Sequence, residues 1–493
     1  MIHRIDSFYL RGGEAVPVTV SCEAVPNPEG RTMLHAVGLA GEDLYPILRT
    51  TVRALQVSGY ALAPGCNSII NITSAIPGGE ARQLMLPIAL ALIAASGEEG
   101  ITFPDRCYVA GELKPDGTVL PVRGSLQLAL SVSDWRIPSC ILAGANALDA
   151  YAVTGRPGIF GVKDIAQAVA FFKGDSSTRA ACRADGTGEW RDRPDRDTVP
   201  ERPPLPPADQ SMLRAASIAA AGGFGLLSVA YAHQSVKDSC APERMAGLIA
   251  GLLPPPDDTQ DGIETDKTLS LAGLPYGNTF KNVPFQDTSA LQGTAHLVGT
   301  ISEPGAATLA HKGVLLIRDA GSLTGTILTK LTEATESGTV THGRGKAAVS
   351  WPAECQVVLA IRDDGKPFPK AFSSVTPIYC FVHPGQKEGN VTEEDIEAAR
   401  RAIARALRRS FGRKGYPTAR LGYDQTNRLV SGQADTLEVL RKISAAFGFD
   451  TSEMLTCIRV ARTIADLDGE GRVAPEHIAE AAAYVTRYDT LKS

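Results

Sequence analysis

The chain has 493 residues, 44% of them hydrophobic and 6% aromatic, with a formal net charge of −5. That length implies roughly two to four domains, and the composition is that of a globular protein rather than a disordered or fibrous one. A mildly acidic balance gives no overall attraction to nucleic acid or an anionic membrane, which leaves any such contact to a local basic patch. The first residues, MIHRIDSFYLRGG, lack the apolar run of a signal peptide. Runs rich in β-branched residues at 16–22 (VPVTVSC) and 68–75 (SIINITSA) predict strands. Apolar residues at helical spacing predict a helix over 42–58, and an almost wholly apolar stretch predicts a buried helix over 84–95. The Asp116-Gly117 pair in KPDGT predicts a hairpin turn between 109–113 and 119–122, and 139–142 reads as another short strand.

This first block ends near residue 173. Residues 174–209 are rich in Pro, Gly, Arg and Asp and have no period, so they read as an exposed linker. From 210 to about 385, apolar runs at 226–229, 313–317 and 356–361 have the length of buried parallel strands, with a helix over 327–337. The charge-free stretch 215–232 is mostly Ala, Gly and Ser and is interrupted by Gly222-Gly223, so it reads as helix, turn and buried strand, not a membrane span. The last block, 386–493, is all-helical. TEED at 392–395 starts a helix running to about 410, others cover about 435–447 and 452–467, and Pro475 opens one reaching about 488. The nine cysteines have irregular spacing and form no CxxC pair, so they predict reduced thiols in a cytoplasmic protein and no metal site.

Several strings resemble the ComM/YifB family of magnesium-chelatase-like AAA+ proteins. They are HAVGLAGEDLYPILRTTVRALQVSGY (35–60), PGGEARQLMLPIALALIAASGE (77–98), AGELKPDGTVLPVRGSL (110–126), ASIAAAGGFGLLSV (216–229), PGAATLAHKGVLLIRDA (304–320) and RVARTIADLDG (459–469). The resemblance implies a multidomain α/β protein. Its N-terminal α+β domain would be Lon-protease-like on a ribosomal-S5-like fold, followed by a P-loop-type AAA+ core and a C-terminal helical lid.

The same resemblance locates the nucleotide motifs, and there the chain departs from the family. The phosphate loop falls on 230–237, AYAHQSVK. Such a loop needs glycines to curl bare backbone around phosphate and a lysine to neutralise it. Here Ala230, His233 and Ser235 stand at glycine positions, Val236 at the lysine, and Lys237 one residue late. On a helix that one-residue slip turns the side chain by about 100°. At the end of the next motif strand, Arg318 takes the place of the magnesium aspartate, and Asp319 the place of the glutamate that polarises water. A cation there would repel a metal ion by on the order of 4 kcal/mol per unit charge at 4 Å and an effective dielectric of 20, before screening. The sensor asparagine falls on Arg362 and the lid arginine on Ser452. Arg318, Arg362 and Lys237 are expected to make salt bridges with Asp319 or Asp363, the alternative being an anion site without magnesium.

Lon-type proteolysis needs a serine activated by a lysine. Gln83 and Leu128 stand at those places, and Ser74 and Ser125 lack an evident base, so the first block reads as a binding or assembly domain. A basic run includes Arg400, Arg413 and Arg420, and spacings of three to five put Arg401, Arg405, Arg408 and Arg409 on one helical side. Such a side could meet DNA phosphates. The expected function is that of a ComM-like pseudo-ATPase, a scaffold or regulatory protein without cofactor, joined to a homo-oligomeric ring or to an intact relative and to no membrane. One alternative is an ATP- and magnesium-dependent DNA motor of the branch-migration type, acting in recombination or natural transformation. Another is a DNA-binding module independent of nucleotide.

Overall fold

The computed structural model describes residues 1–11, 13–39, 44–76, 81–134, 139–188, 205–231, 242–256, 260–276, 283–345, 348–363, 368–369, 371–382 and 391–485. They form two compact units, one made of 1–199, 266–278 and 343–349, the other of 200–265, 279–342 and 350–493.

The first unit contains β1 (His3–Arg11), β2 (Glu14–Pro26), β3 (Met33–Leu39), α1 (Leu44–Val57), β4 (Cys66–Ile76), α2 (Met85–Ala95), β5 (Cys107–Val109), β6 (Glu112–Leu113) and β7 (Val119–Leu120). It continues with α3 (Ser125–Asp134), β8 (Ser139–Ala143), α4 (Gly144–Thr154), β9 (Ile159–Val162), α5 (Ile165–Phe172) and α6 (Ser176–Ala181). Seven strands make one sheet in the order β3-β4-β2-β1-β5-β8-β9. Here β1 is antiparallel to β2, and β2 to β4, while β3 runs parallel to β4 and the β5, β8 and β9 edge runs parallel to β1. β1 lies at the centre of this sheet, with Ile5, Phe8, Tyr9 and Leu10 buried. α2 is buried from Met85 to Ala94, as its uniform apolarity requires. The expected hairpin forms between β6 and β7, with Gly117 at φ 89.

The linker expected over 174–209 is corrected over its described first half. Residues 176–181 form α6, Asp175 caps it by accepting from the Ser177 and Thr178 amides, and Cys182 and Ala184 are buried. Phe160 bridges to Arg183. A helix of one and a half turns is too short to show a period, which is why composition alone suggested a tether. Residues 189–204 lie outside the described residues.

The second unit contributes α7 (Gln210–Gly222), β10 (Leu226–Tyr231), α8 (Arg244–Leu252), α9 (Gln260–Leu271), β11 (Phe285–Ser289), α10 (Thr294–Val298), α11 (Ala306–Leu309), β12 (Val314–Arg318) and α12 (Gly325–Ser337). Then come β13 (Thr339–His342), β14 (Val349–Pro352), β15 (Gln356–Asp363), α13 (Phe372–Val375), β16 (Ile378–Val382), α14 (Glu393–Lys414), α15 (Tyr423–Arg428), α16 (Ala434–Phe447), α17 (Thr451–Asp468) and α18 (Pro475–Val485). Residue 349 and the last six residues of α9 are grouped with the first unit. The main sheet is wholly parallel, in the order β11-β12-β15-β10-β16. Leu226, Leu316 and Val358 face one core with α7, α8, α14 and α17, while Leu227, Ile317 and Leu359 face a second core with α10 to α13. Burial on both faces explains the unbroken apolar runs that made these strands readable. Thr392 and Asp395 form a reciprocal capping box at the start of α14, as TEED foretold. Among the described residues no helix is long and apolar enough to cross a membrane.

Segment 266–278 belongs to the first unit because it closes the amino end of α3. Ser270 accepts from the Gly124 amide through its carbonyl at 2.9 Å and from the Leu126 amide through Oγ at 3.1 Å. Gln127 donates to the Lys267 carbonyl, and Arg123 to that of Leu271. The bond from Leu126 satisfies one of the amides that a helix start otherwise leaves open.

Candidate functional site

In an open parallel sheet, loops leaving the carboxyl ends of the strands form the ligand crevice. That edge of the second unit is where the motif residues fall. Ala230 is buried near the end of β10, paired in register with Arg362 of β15 and Val382 of β16. Leu227 and Ile317 share Leu359 as partner, so Arg318 stands level with Ala360, two positions short of Arg362. The fold thus brings Ala230, Arg318, Asp319 and Arg362 to one edge. Ser452 is exposed in the first turn of α17. His233, Ser235, Val236 and Lys237 lie outside the described residues.

Arg318 is half-exposed, and its Nε donates to Asp287 Oδ1 at 2.9 Å. This corrects the expected pairing with Asp319; the side chain of Asp363, the other expected partner, lies outside the described residues. Ser289 is the register partner of Arg318, so Asp287, two residues back on β11, shares its face. Asp319 is engaged elsewhere: it sits at φ 56, a left-handed conformation that aspartate tolerates better than most residues, and its Oδ2 accepts from Ser289 Oγ at 2.7 Å. The two arginines do not fit a magnesium–triphosphate seat. Position 318 offers the metal a guanidinium instead of an oxygen, and Asp287 is the acid already neutralising that guanidinium.

Along α14, Arg401, Arg405, Arg408 and Arg409 are exposed and make no ion pair among the described residues. Other arginines of the basic run are occupied. Arg400 donates to the Gly251 carbonyl and pairs with Glu397, Arg413 binds Asp466, and Arg420 binds Glu354. Helical spacing found the exposed four because it is local, whereas the fate of the other three depends on distant elements.

Sequence reasoning did not foresee a cavity of about 480 Å³ beside α14, at the amino ends of β12 and β15. Arg408, Phe411, Pro255, Lys312, Glu354 and Arg420 help line it. Lys312 sits at φ 61, its backbone N–H donating a hydrogen bond to the Glu354 carbonyl, and its Nζ lies 2.6 Å from Glu354 and 2.9 Å from Asp261. The His311 ring accepts from the Glu354 amide through Nδ1, which leaves its proton on Nε2, 3.5 Å from Glu264 Oε2. That ring is the main influence holding the Glu264 carboxyl down to about 2, helped by Gln260 and Lys312 and opposed by burial. A carboxyl lowered in the folded state adds stability above its unfolded value near 4.5 and loses it as pH falls toward 2. Urea unfolding between pH 5 and 3 should therefore show a steepening loss of stability in the wild type and a shallower one in Glu264→Gln.

Gln83 and Leu128, the residues expected where a protease would carry its serine and lysine, are buried. Ser125 Oγ shares a 2.9 Å hydrogen bond with the buried Tyr276 hydroxyl, a structural partner in place of a base. Burial pushes that phenol well above its ordinary value. The eight described cysteines are free, and six are buried; Cys140 is pushed up to about 12 by burial.

Three family patterns match the chain. Magnesium chelatase, subunit ChlI, covers residues 208–365, the ChlI C-terminal pattern covers 393–485, and subunit ChlI of Mg-chelatase covers 25–146. The uncharacterised protein YifB of Salmonella typhimurium is 24% identical over 96% of this chain and 95% of its own length. YifB of Escherichia coli is 25% identical over the same shares. The competence protein ComM of Haemophilus influenzae is 24% identical over 97% of this chain and 96% of its own. With the three patterns in order along the fold and such relatives aligned nearly end to end, the chain belongs to the ComM/YifB group of magnesium-chelatase-like proteins.

Proposed function

We propose that this protein has given up magnesium-dependent ATP turnover and acts in the cytoplasm as a scaffold or regulatory member of a ring, its own or one built by an intact relative. The observation that carries the proposal is the Arg318–Asp287 ion pair at the end of β12, where the family resemblance places the metal aspartate. Apolar strands and the ARTIADL helix keep their packing residues, so the substitutions concentrate on chemistry rather than on architecture. On this reading the first unit is a Lon-like assembly domain, and the second a degenerate AAA+ core with its helical lid. Calorimetric titration with ATP should give the same small or absent heat with and without Mg²⁺, and no phosphate release. Magnesium-dependent hydrolysis by the purified wild type would sink the proposal.

A second reading rests on the four exposed arginines of α14 and on the name of the Haemophilus relative, a competence protein. They would meet DNA phosphates without help from nucleotide. Binding to branched duplex should then fall steeply with salt, and each phosphate-contacting arginine reversed to glutamate should lower the salt slope by about 1. Unchanged slopes in the fourfold variant would remove this reading.

A further inference from the structure

We propose that the outer edge of β3, with the cleft beside it, is a docking site for an extended segment of a partner protein in which acidic and apolar residues alternate. β3 ends the seven-stranded sheet, and among the described residues it pairs only with β4. An unpaired edge offers a row of N–H and C=O groups to any strand that can reach it, and proteins usually blunt such edges with charge or proline. MLHAVGL, the sequence of β3, contains no Lys, Arg, Asp, Glu or Pro. A bulge between Val37 and Leu39, with Gly38 at φ 96, disturbs only its last residues.

Side chains of an added strand would alternate between the two sides of the sheet, and the two sides differ in chemistry. On the outer side Met33 and Val37 are 45% and 60% exposed, and Val25 is 41% exposed. Asn67 of β4 is the register partner of both Val25 and Met33, which places these two apolar side chains in one row. The other side is a cleft of about 1040 Å³ between Leu34 of β3 and the outer face of α1. Tyr45, Leu48, Arg49, Val52 and Arg53 line it. Arg49 and Arg53 are one helical turn apart, exposed, and without a carboxylate partner among the described residues. Carboxylates on every second residue of the incoming strand would face these guanidiniums, while the apolar residues between them would cover Met33 and Val37.

The test is calorimetric titration of the full chain with a capped octapeptide of alternating Glu and Val, and with its Lys-for-Glu counterpart, while hydrogen exchange is followed at residues 33–39. The Glu peptide should bind and slow exchange at 33–39, and the Lys peptide should bind at least about tenfold more weakly. Arg49→Glu with Arg53→Glu should reverse that preference, and Val37→Lys should abolish binding of either peptide. If Val37→Lys fails to fold, the arginine pair, on an exposed helix face, carries the test alone. Equal binding of both peptides, no binding, or protection confined to other residues overturns the proposal. So does a wild-type dimer dispersed by Arg49→Glu with Arg53→Glu, because the edge would then belong to a second copy of this chain.

Discussion

Asp466→Ala is expected to destabilise the second unit by about 3–5 kcal/mol in urea or thermal unfolding. Asp466 is 2% exposed at the carboxyl end of α17. It accepts from Arg462 Nη2 at 2.9 Å, with Arg462 itself 4% exposed, and from both terminal nitrogens of Arg413. Arg462 also donates to the carbonyls of Gly471 and Glu470, so it cannot swing out to water without breaking the turn after α17. Burial already pulls the Arg462 guanidinium below its ordinary value, and Asp466 opposes that pull. Without the carboxylate, a desolvated cation remains in the core, and its desolvation cost adds to the loss of the three hydrogen bonds that Asp466 accepts. Asp466→Asn, which keeps the shape but not the charge, should lose less. Arg462→Met combined with Asp466→Leu should recover much of the loss, because Arg413 is partly exposed and can turn to solvent. A change below about 1 kcal/mol in Asp466→Ala would show that the cluster does not hold the helices together.

Gly313→Ala should be comparably damaging, at about 3 kcal/mol or more. A Cβ on Gly313 would lie 1.9 Å from the Pro284 carbonyl oxygen and 2.7 Å from its carbon. That oxygen accepts from the Val314 amide at 2.9 Å, and the Gly313 carbonyl accepts from Gln356 at 2.9 Å, so the backbone is fixed on both sides. Relief requires β11 to move away from β12, and Asp287 on β11 would move with it from Arg318 on β12. Gly321→Ala is the control: its Cβ would meet only Ile361 Cδ1 at 3.6 Å, an ordinary contact. If the two variants unfold at the same denaturant concentration, the close approach at Pro284 is not rigid.

These two sites mark the limit of what the sequence disclosed. β10, β12 and β15 were readable because burial on both faces leaves continuous apolar runs, and α14 because its cap and spacing are local. The substitutions at 318, 319 and 362 were equally visible as chemistry. The partner of Arg318 was not, because Asp287 meets it only through the register of two strands separated by more than twenty residues. α9 was missed for a different reason. Thr265, Asp266, Thr268 and Ser270 are buried, so a helix whose sequence shows no apolar stripe is nonetheless interior; Thr265 donates to the Asp261 carbonyl and Ser270 accepts from the Leu126 amide. β1 and α6 escaped because one is buried on both sides between polar flanks and the other is shorter than two turns.

The return of residues 266–278 and 343–349 to the first unit bears on synthesis by the ribosome. A nascent chain released only to residue 199 holds the seven-stranded sheet but still lacks Ser270, whose carbonyl and hydroxyl close the start of α3. Domains usually mature from the N-terminus as they emerge. Here the earliest-made half waits for a stretch translated much later, so its final closure is post-emergence and leaves a window in which chaperones can engage it.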